Sequence, residues 1–416
     1  MNRFRVTVSA LAALTMIGTV VAVSPVTAVP QDVDRAGSTK TDFWFKHDAY
    51  GTKVSGNDLV ASGPTAYSYL GCTQRAGVSH SNDIADAGVP ALVQADGVKS
   101  EGWTDEKDGV TSVTSRNTIA GGSLAGGRIT FEAISVRATA YNDGAFRTKG
   151  SAKIVGLTID NEEITLGDGS HQQFEVPGLG VLHVNQKFRS RSSDHSQLRV
   201  VALRLVSYLE GTTIRVAHAR AKIADEGASG PFGGQAYASQ VRLAGGAANS
   251  GKTGLQPMGC VGTNGKVKEN STVEGIQSTD QVELEGASSK AWSQRSTLEG
   301  WTESKIARAS LGGGLVTVEA IKARAFADRN GDRVVRSAKG TTLGSLSVGG
   351  TTYSADDLLA LDQPLEVPGV ATITFKKVER TNNSIKATAL EVLLLPGTDL
   401  ESKVELGVAR MKVKKD

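Results

Sequence analysis

The stretch Ser123-Leu-Ala-Gly-Gly-Arg-Ile-Thr-Phe-Glu-Ala-Ile-Ser-Val-Arg-Ala-Thr-Ala-Tyr141 occurs a second time, as Ser310-Leu-Gly-Gly-Gly-Leu-Val-Thr-Val-Glu-Ala-Ile-Lys-Ala-Arg-Ala-Phe-Ala-Asp328. Eleven of the 19 aligned positions are identical. A repeat of this length predicts two copies of one fold. It also tests every motif, because chemistry found in one copy can be compared with the other.

The repeated stretch has the two-residue period of a β-strand. Ile129 and Phe131 alternate with polar residues, and the apolar positions then move by one residue at Ala133-Ile134. The same shift occurs at Ala320-Ile321. A period of two predicts a strand with one buried face, and the shift predicts a β-bulge in each copy.

Turn signals and apolar runs extend this pattern along each copy. Asn142-Asp-Gly144 and Asn330-Gly331 predict tight hairpins, because their central residues need positive φ. The continuous apolar runs at 201–209 and 389–395 predict central strands, and only 354–362 predicts a short helix. The fold class is therefore all-β, with a β-sandwich or barrel-like domain in each of two tandem copies.

The duplication and the composition divide the chain into six segments. They are a signal peptide at 1–28, a polar linker at 29–47, a first β domain at 48–223, a Gly-rich linker at 224–234, a second β domain at 235–413 and a tail at 414–416. Each β domain is long enough to bury a core of its own.

The first 30 residues have the features of a secretory signal. Arg3 and Arg5 supply the positive start, residues 6–23 are apolar apart from Thr, Ser and Gly, and Val26-Thr-Ala28 supplies small residues for cleavage after Ala28. The alternative is a retained membrane anchor, for which the apolar run is short. We therefore predict a protein that is secreted or associated with the cell surface, with no transmembrane segment in its mature form.

The charge balance argues against polyanion binding by the chain as a whole. Without Arg3 and Arg5, 44 basic residues face 43 acidic residues, a formal charge of +1. We therefore expect no nucleic-acid partner.

Two tryptophans are the candidate binding residues. Glu101-Gly-Trp103-Thr matches Glu299-Gly-Trp301-Thr, which makes Trp103 and Trp301 equivalent by sequence. A pair of exposed indoles would form a carbohydrate-binding platform. The alternative is that both indoles anchor packing at strand ends, which suits a chain with only 5% aromatic residues.

The two cysteines also match between the copies. Cys72 and Cys260 each follow a glycine, and thiols outside the cytosol tend to oxidise. A disulfide between them would link the two copies. The alternative is two separate buried thiols, and the choice depends on the separation of their Cα atoms.

No catalytic motif, cofactor motif or metal site is predicted. His80, His171, His183, His195 and His218 lie in the first copy, whereas the second copy has no histidine. Neither a G-x-S-x-G elbow nor an H-E-x-x-H motif is present. The sequence therefore predicts a non-enzymatic protein, and an extracellular hydrolase is the weakest alternative.

Several motifs resemble the choice-of-anchor P family of secreted actinobacterial proteins. They are Ala49-Tyr-Gly-Thr-Lys-Val54, Ser62-Gly-Pro-Thr65, Gly71-Cys-Thr73, Leu124-Ala-Gly-Gly127, Gly156-Leu-Thr158 and Val176-Pro-Gly-Leu-Gly180. The resemblance covers nearly all of the first copy and, more loosely, the second, which has Ala236-Tyr-Ala238 instead of the first motif. It implies an extracellular or surface role without an established activity.

These observations lead to one functional prediction and one alternative. The chain is predicted to be a secreted or surface-associated structural protein that binds envelope components, either glycans or surface proteins. The alternative is a pair of carbohydrate-binding modules that use Trp103 and Trp301.

Overall fold

The structure is a computed structural model, which describes residues 33–56, 62–89, 91–208, 211–227, 229–243, 251–272, 276–279, 282–359, 363–398 and 401–414. The predicted signal peptide, 1–28, lies outside the described residues. Among the residues that are described, no helix has the length and apolar character needed to cross a membrane.

The first half of the chain, Val33 to Ala224, contains fourteen strands. They are β1 Val33–Ser55, β2 Ser68–Val89, β3 Val93–Lys107, β4 Val110–Ile119, β5 Gly121–Leu124, β6 Ile129–Phe131, β7 Ala133–Asn142, β8 Phe146–Val155, β9 Thr158–Ile159, β10 Glu162–Glu163, β11 Gln172–Val176, β12 Gly180–Arg191, β13 His195–Ser207 and β14 Thr213–Ala224.

These strands form one antiparallel sheet that folds back on itself. Its main path runs β10-β9-β6-β5-β3-β2-β1-β14-β13-β12-β11, and β4 continues from β3 to β7 and β8. Strands β3, β4, β7 and β8 pack against β1, β14 and β13 to form a sandwich-like layer pair. Val, Leu, Ile and Ala side chains dominate the core between the layers.

The second half, Phe232 to Val413, contains the remaining elements. They are β15 Phe232–Leu243, β16 Gln256–Met258, β17 Lys268–Thr272, β18 Ile276–Thr279, β19 Val282–Gln294, β20 Glu299–Leu311, β21 Val316–Asn330, β22 Arg333–Ser337, β23 Ser345–Val348, β24 Thr351–Ser354, α1 Ala355–Leu359, β25 Leu365–Val367, β26 Ala371–Arg380, β27 Ser384–Leu394 and β28 Ser402–Val413.

Two antiparallel sheets of the second half pack face to face. Their orders are β16-β15-β28-β27-β26-β25 and β17-β19-β20-β21-β23-β24, with β18 beside β19 and β22 beside β21. The all-β fold class is confirmed, as are the predicted hairpins at the β7–β8 and β21–β22 turns. The division into two domains stays a prediction.

The linker predicted at 29–47 is wrong for its described part. Residues from Val33 onward belong to β1, which pairs with β2 and β14. The polar side chains around Thr39 suggested a loop, but Phe45 and His47 point into the core and are fully buried. The second linker is also shorter than predicted, because β15 begins at Phe232.

The predicted bulge takes a different form. In β21 the buried positions shift by one residue at Ala320, which has a φ of 53°. Ile306 pairs with Ile321 and the pairing continues on the other side without a register change. The reason is that Gly286 in β19 lies in the same row across the sheet as Ala320 and also has a positive φ, of 59°. The neighbouring strands therefore exchange their inward and outward faces at the same row, and the pairing is kept.

Backbone contacts between the halves repeat at equivalent positions. The amide of Gly63 donates a hydrogen bond to the carbonyl of Ser271 at 2.8 Å, and the amide of Gly251 donates one to the carbonyl of Asp83. Gly63 matches Gly251 in the duplication, and Asp83 on β2 matches Ser271 on β17. The halves therefore meet through one set of contacts made twice, as in a two-fold symmetric dimer.

Two buried asparagines reinforce this interface. The side-chain amide of Asn82 donates to the carbonyl of Lys252 at 2.8 Å, and its oxygen accepts from the amide of Lys252 at 2.6 Å. The equivalent Asn270 donates to the carbonyl of Pro64 at 3.3 Å. Both asparagines are nearly inaccessible to solvent, so these bonds satisfy groups that water cannot reach.

A disulfide crosses the same interface. It joins Cys72 and Cys260, whose Cα atoms are 6.1 Å apart and which are separated by 188 positions in sequence. A bond that closes so long a loop removes much of the conformational freedom of the unfolded chain.

We expect the purified protein to have no free thiol. Peptide mapping without reductant should give one cross-linked pair that contains Cys72 and Cys260, and reduction should lower the free energy of unfolding by about 2–4 kcal/mol. Titration of two free thiols in the native, unreduced protein would contradict the pairing. A Cys72→Ser/Cys260→Ser variant should match the reduced protein in stability.

Candidate functional site

Strand β3 places one predicted binding residue, Trp103, on the outer face of the first half. Gly102 and Thr104 on either side of it are buried, so the period of two turns the indole outward. Glu101 and Asp105 share this outer face. Trp103 itself is half-buried.

Trp103 lines a cleft of about 360 Å³ between β2 and β3. The walls are residues 77–81 of β2 and 101–105 of β3. Ser79 pairs directly with Trp103 across the two strands, and this small side chain leaves room beside the indole. The cleft therefore combines one aromatic ring with hydroxyl and carboxylate groups.

The other side of the Trp103 ring is covered. The guanidinium of Arg137, on β7, lies 5.4 Å from the ring centre. Thr114 occupies the intervening position on β4 and is buried, with its hydroxyl 3.0 Å from that of Thr139. Arg137 approaches from the β7 side and the cleft lies on the β2 side, so one ring face borders the cleft.

Charged neighbours fix one carboxylate of the cleft. Glu101 lies 3.3 Å from the amine of Lys99 and 3.5 Å from the guanidinium of Arg116. These ion pairs hold the carboxylate in position near Trp103. Asp105, at the other end of the cleft, is exposed.

Trp301 has different surroundings. The ring of Trp292 is stacked 6.4 Å from it on the β19 side, and the guanidinium of Arg324 lies 5.0 Å from it on the β21 side. The indole nitrogen of Trp292 donates to the carbonyl of Gly265 at 3.0 Å. Trp301 is therefore packed between two neighbours, as in the packing alternative.

The structure corrects the predicted equivalence of Trp103 and Trp301. Trp103 lies on β3 and pairs with β4, whereas Trp301 lies on β20, the strand that corresponds to β4. The strand that corresponds to β3 is β19, and it carries Trp292. The two Glu-Gly-Trp-Thr segments therefore lie on strands that do not correspond between the halves.

A weaker sequence pattern gives the correct alignment. Gly97 lies three residues before Ser100 and six before Trp103, and Gly286 precedes Ser289 and Trp292 by the same spacings. Both glycines have positive φ and pack against an alanine, Ala120 just after β4 and Ala307 in β20, so the spacing reflects backbone geometry. In sequence, the four identical adjacent residues Glu-Gly-Trp-Thr form a stronger match than this spaced pattern, although they do not mark equivalent positions.

His47 was missed because its segment was interpreted as a linker. Its ring is fully buried against Gly102, and neither ring nitrogen has a hydrogen-bond partner among the described residues. Burial, together with the charge of His80, lowers the pKa of His47 to about 3.

His218 is also buried, and its ring is stacked on that of Tyr50 with 4.3 Å between the ring centres. Burial, and then the charges of the nearby arginines, lower the pKa of His218 well below 6.5.

One group of side chains bears on the hydrolase alternative. Oγ of Ser190 lies 3.1 Å from Nε2 of His195, and a carboxylate oxygen of Asp194 lies 2.9 Å from Nδ1. This is the order of contacts in a serine-histidine-aspartate triad. However, Ser192 also contacts Nδ1, at 2.6 Å, and Asp194 is two-thirds exposed on a hairpin turn, whereas a catalytic aspartate is buried.

Metal-binding side chains do not converge within the described part of the chain, where no group of three or more His, Cys, Asp or Glu residues could hold an ion. The histidines are dispersed over the first half. His171 and His183 contact each other at 3.3 Å on the surface.

Comparison with protein-family models gives no match, and a search of curated proteins gives none either. The resemblance to the choice-of-anchor P family stays a prediction.

Proposed function

We propose that this protein is an extracellular, non-enzymatic carbohydrate-binding protein of the cell envelope, and that its first half holds the ligand in the Trp103 cleft. The proposal depends on the one face of the Trp103 ring that borders this cleft. The ring lies between the carboxylates of Glu101 and Asp105 and beside Ser79 on β2.

Sugars suit this combination of groups. A sugar ring has C–H groups on its faces, which pack on an aromatic ring, and hydroxyls at its edge, which need hydrogen-bond partners. Glu101 and Asp105 supply acceptors, and Ser79 supplies both a donor and an acceptor. The cleft is partly open to solvent, which allows a segment of a polymer to enter it.

Two features support the rest of the proposal. The predicted signal peptide and the resemblance to secreted surface proteins favour the envelope as the location. The exposed Ser190–His195–Asp194 group lacks the buried carboxylate of a hydrolase, which favours binding over catalysis.

Trp103→Ala should reduce binding to purified cell walls and to soluble wall glycans at least tenfold, because it removes the ring that forms one wall of the cleft. Sedimentation with cell walls and tryptophan fluorescence during glycan titration measure the effect. Trp301→Ala is the matched control, since it removes an indole whose two faces are already covered, and it should bind like the unmodified protein.

Either of two results would contradict this proposal. One is equal binding by the Trp103→Ala variant and the unmodified protein. The other is an equal loss with Trp301→Ala, which would point to a general effect of losing an indole. Circular dichroism of both variants checks that the sheets are intact.

A further inference from the structure

Three cations stand side by side on the outer face of the first half, on strands other than those that form the Trp103 cleft. Arg204 on β13 pairs with Arg215 on β14, and Arg215 pairs with Lys53 on β1. We name these three residues the basic row. Like charges directly opposite each other on neighbouring strands repel, so the arrangement costs stability unless something neutralises it.

The protein itself does not neutralise the basic row within its described residues. Arg215 donates to the hydroxyl of Ser55 at 3.3 Å, and Nε of Arg204 is buried with no hydrogen-bond partner in the part of the chain that the structure describes. The neighbouring carboxylate, Asp48, is bound to Arg220 at 2.5 Å. Burial, and then the charge of Arg215, lower the pKa of Lys53, as expected where cations are crowded.

The second half provides an internal comparison. The register places Glu391, Glu405 and Gln240 at the positions of Arg204, Arg215 and Lys53. There the charges are satisfied within the protein, because Lys403 lies 2.9 Å from Glu391 and Lys386 lies 2.8 Å from Glu405. The same scaffold therefore carries a neutralised row in one half and, in the other, a basic row that no described carboxylate neutralises.

We propose that the basic row is a second binding site, which takes an anionic polysaccharide whose carboxylate or phosphodiester groups supply the missing counter-charges. Neighbouring strands place the cations about 4.8 Å apart, so a flexible chain with closely spaced oxyanions can contact all three. Arginine forks bind such oxyanions through paired hydrogen bonds.

Further cations extend the site along the same face. Further along strands β13, β14 and β1 lie Arg199 and Arg220, in a row whose β1 member is Asp48, and then Lys222 and Lys46. A buried row that contains Tyr50 and His218 separates these residues from the basic row. An acidic polymer that extends past this buried row would reach Arg199, Lys222 and Lys46, whereas Arg220 is already bound to Asp48. The small net charge of the whole chain conceals this local excess, because acidic residues elsewhere cancel it.

Titration of the full protein with polygalacturonate, with a purified phosphodiester wall polymer and with neutral dextran tests the proposal. We expect binding to one or both acidic polymers, none to dextran, and a loss of affinity as salt rises. Arg204→Gln/Arg215→Gln should weaken acidic-polymer binding at least tenfold. Lys53→Gln, which introduces the residue present at 240, should weaken it about threefold and should not disturb the fold.

The charge-matched control is Arg308→Gln/Arg333→Gln, which removes two exposed cations from the second half. It should bind as the unmodified protein does. Equal weakening by the control, no binding to either acidic polymer, or binding to duplex DNA alone would overturn the proposal. If Trp103→Ala loses its binding to wall glycans but keeps its binding to the acidic polymers, the basic row and the Trp103 cleft are separate sites.

Discussion

Mild acid should destabilise the first half of this protein strongly, because two histidines are buried in their neutral form. The pKa of His47 is about 3 in the folded protein, against about 6.5 in an unfolded chain. Above pH 6.5 the ring is neutral in both states and the stability is unaffected. Below pH 6.5 only the unfolded state takes up the proton, so stability falls until the pH reaches about 3.

The expected loss is large. Each pH unit in this window costs about 1.4 kcal/mol per histidine, so His47 alone removes about 3 kcal/mol between pH 6.5 and pH 4.5. The buried His218 adds a loss of the same sign, because its pKa is also well below 6.5. Denaturant unfolding at three pH values between about 7 and 4.5 measures the slope.

Two substitutions should remove this dependence. His47→Met places an apolar side chain of similar volume against Gly102. His218→Val introduces the residue present at position 408 of the second half. The double variant should lose little stability in acid beyond the share from carboxylates. His195→Gln, on an exposed turn, is the control and should leave the slope unchanged. An unchanged slope in the double variant would show that other groups cause the acid sensitivity.

The strands and hairpins were predictable because they depend on local chemistry. The two-residue period around Ile129 and Ile321 records which side chains face the core, and Asn-Gly or Asp-Gly turns have few conformations open to them. Even the phase change at Ala320 was visible. Its form was not, because the register is retained only when the neighbouring strand turns at Gly286 in the same row.

The candidate site was only partly predictable, because it depends on which strands lie side by side. Trp103 was identified, but its exposure depends on Ser79 on one side and Arg137 on the other, which are brought together by strand pairing. Trp301 had the same local sequence and is covered by Trp292. The basic row is dispersed over three strands, so its charges are adjacent only in the folded sheet.

The contact between the halves also had no local signal. Asn82 and Asn270 stand in polar stretches that suggest solvent exposure, yet both are buried where the halves meet. Their equivalence became visible only when Ser100 and Ser289 were matched through the sheet register. A duplication can therefore preserve an interface more clearly in structure than in sequence.

Replacing Asn82 with leucine should separate the halves locally and lower stability by about 3 kcal/mol or more. Leucine has a similar volume but leaves the carbonyl of Tyr67 and both backbone groups of Lys252 without their present side-chain partner. Each buried polar group that loses its partner costs about 1–3 kcal/mol. Denaturant unfolding measures the loss, and hydrogen exchange at the amide of Lys252 reports whether the contact has opened.

The two-fold relation makes this prediction more specific. Asn270→Leu should cost less, because the bonds that Asn270 donates within the described residues go to the carbonyls of Leu255 and Pro64, and the bond to Pro64 is long, at 3.3 Å. Both losses should grow when the Cys72–Cys260 bond is reduced, since the disulfide otherwise holds the halves together at high effective concentration. The exposed Asn382→Leu is the control and should change neither quantity. Unaltered exchange at Lys252 in reduced Asn82→Leu would mean that the asparagine does not hold the interface, and that the disulfide and the Gly63 and Gly251 backbone bonds suffice.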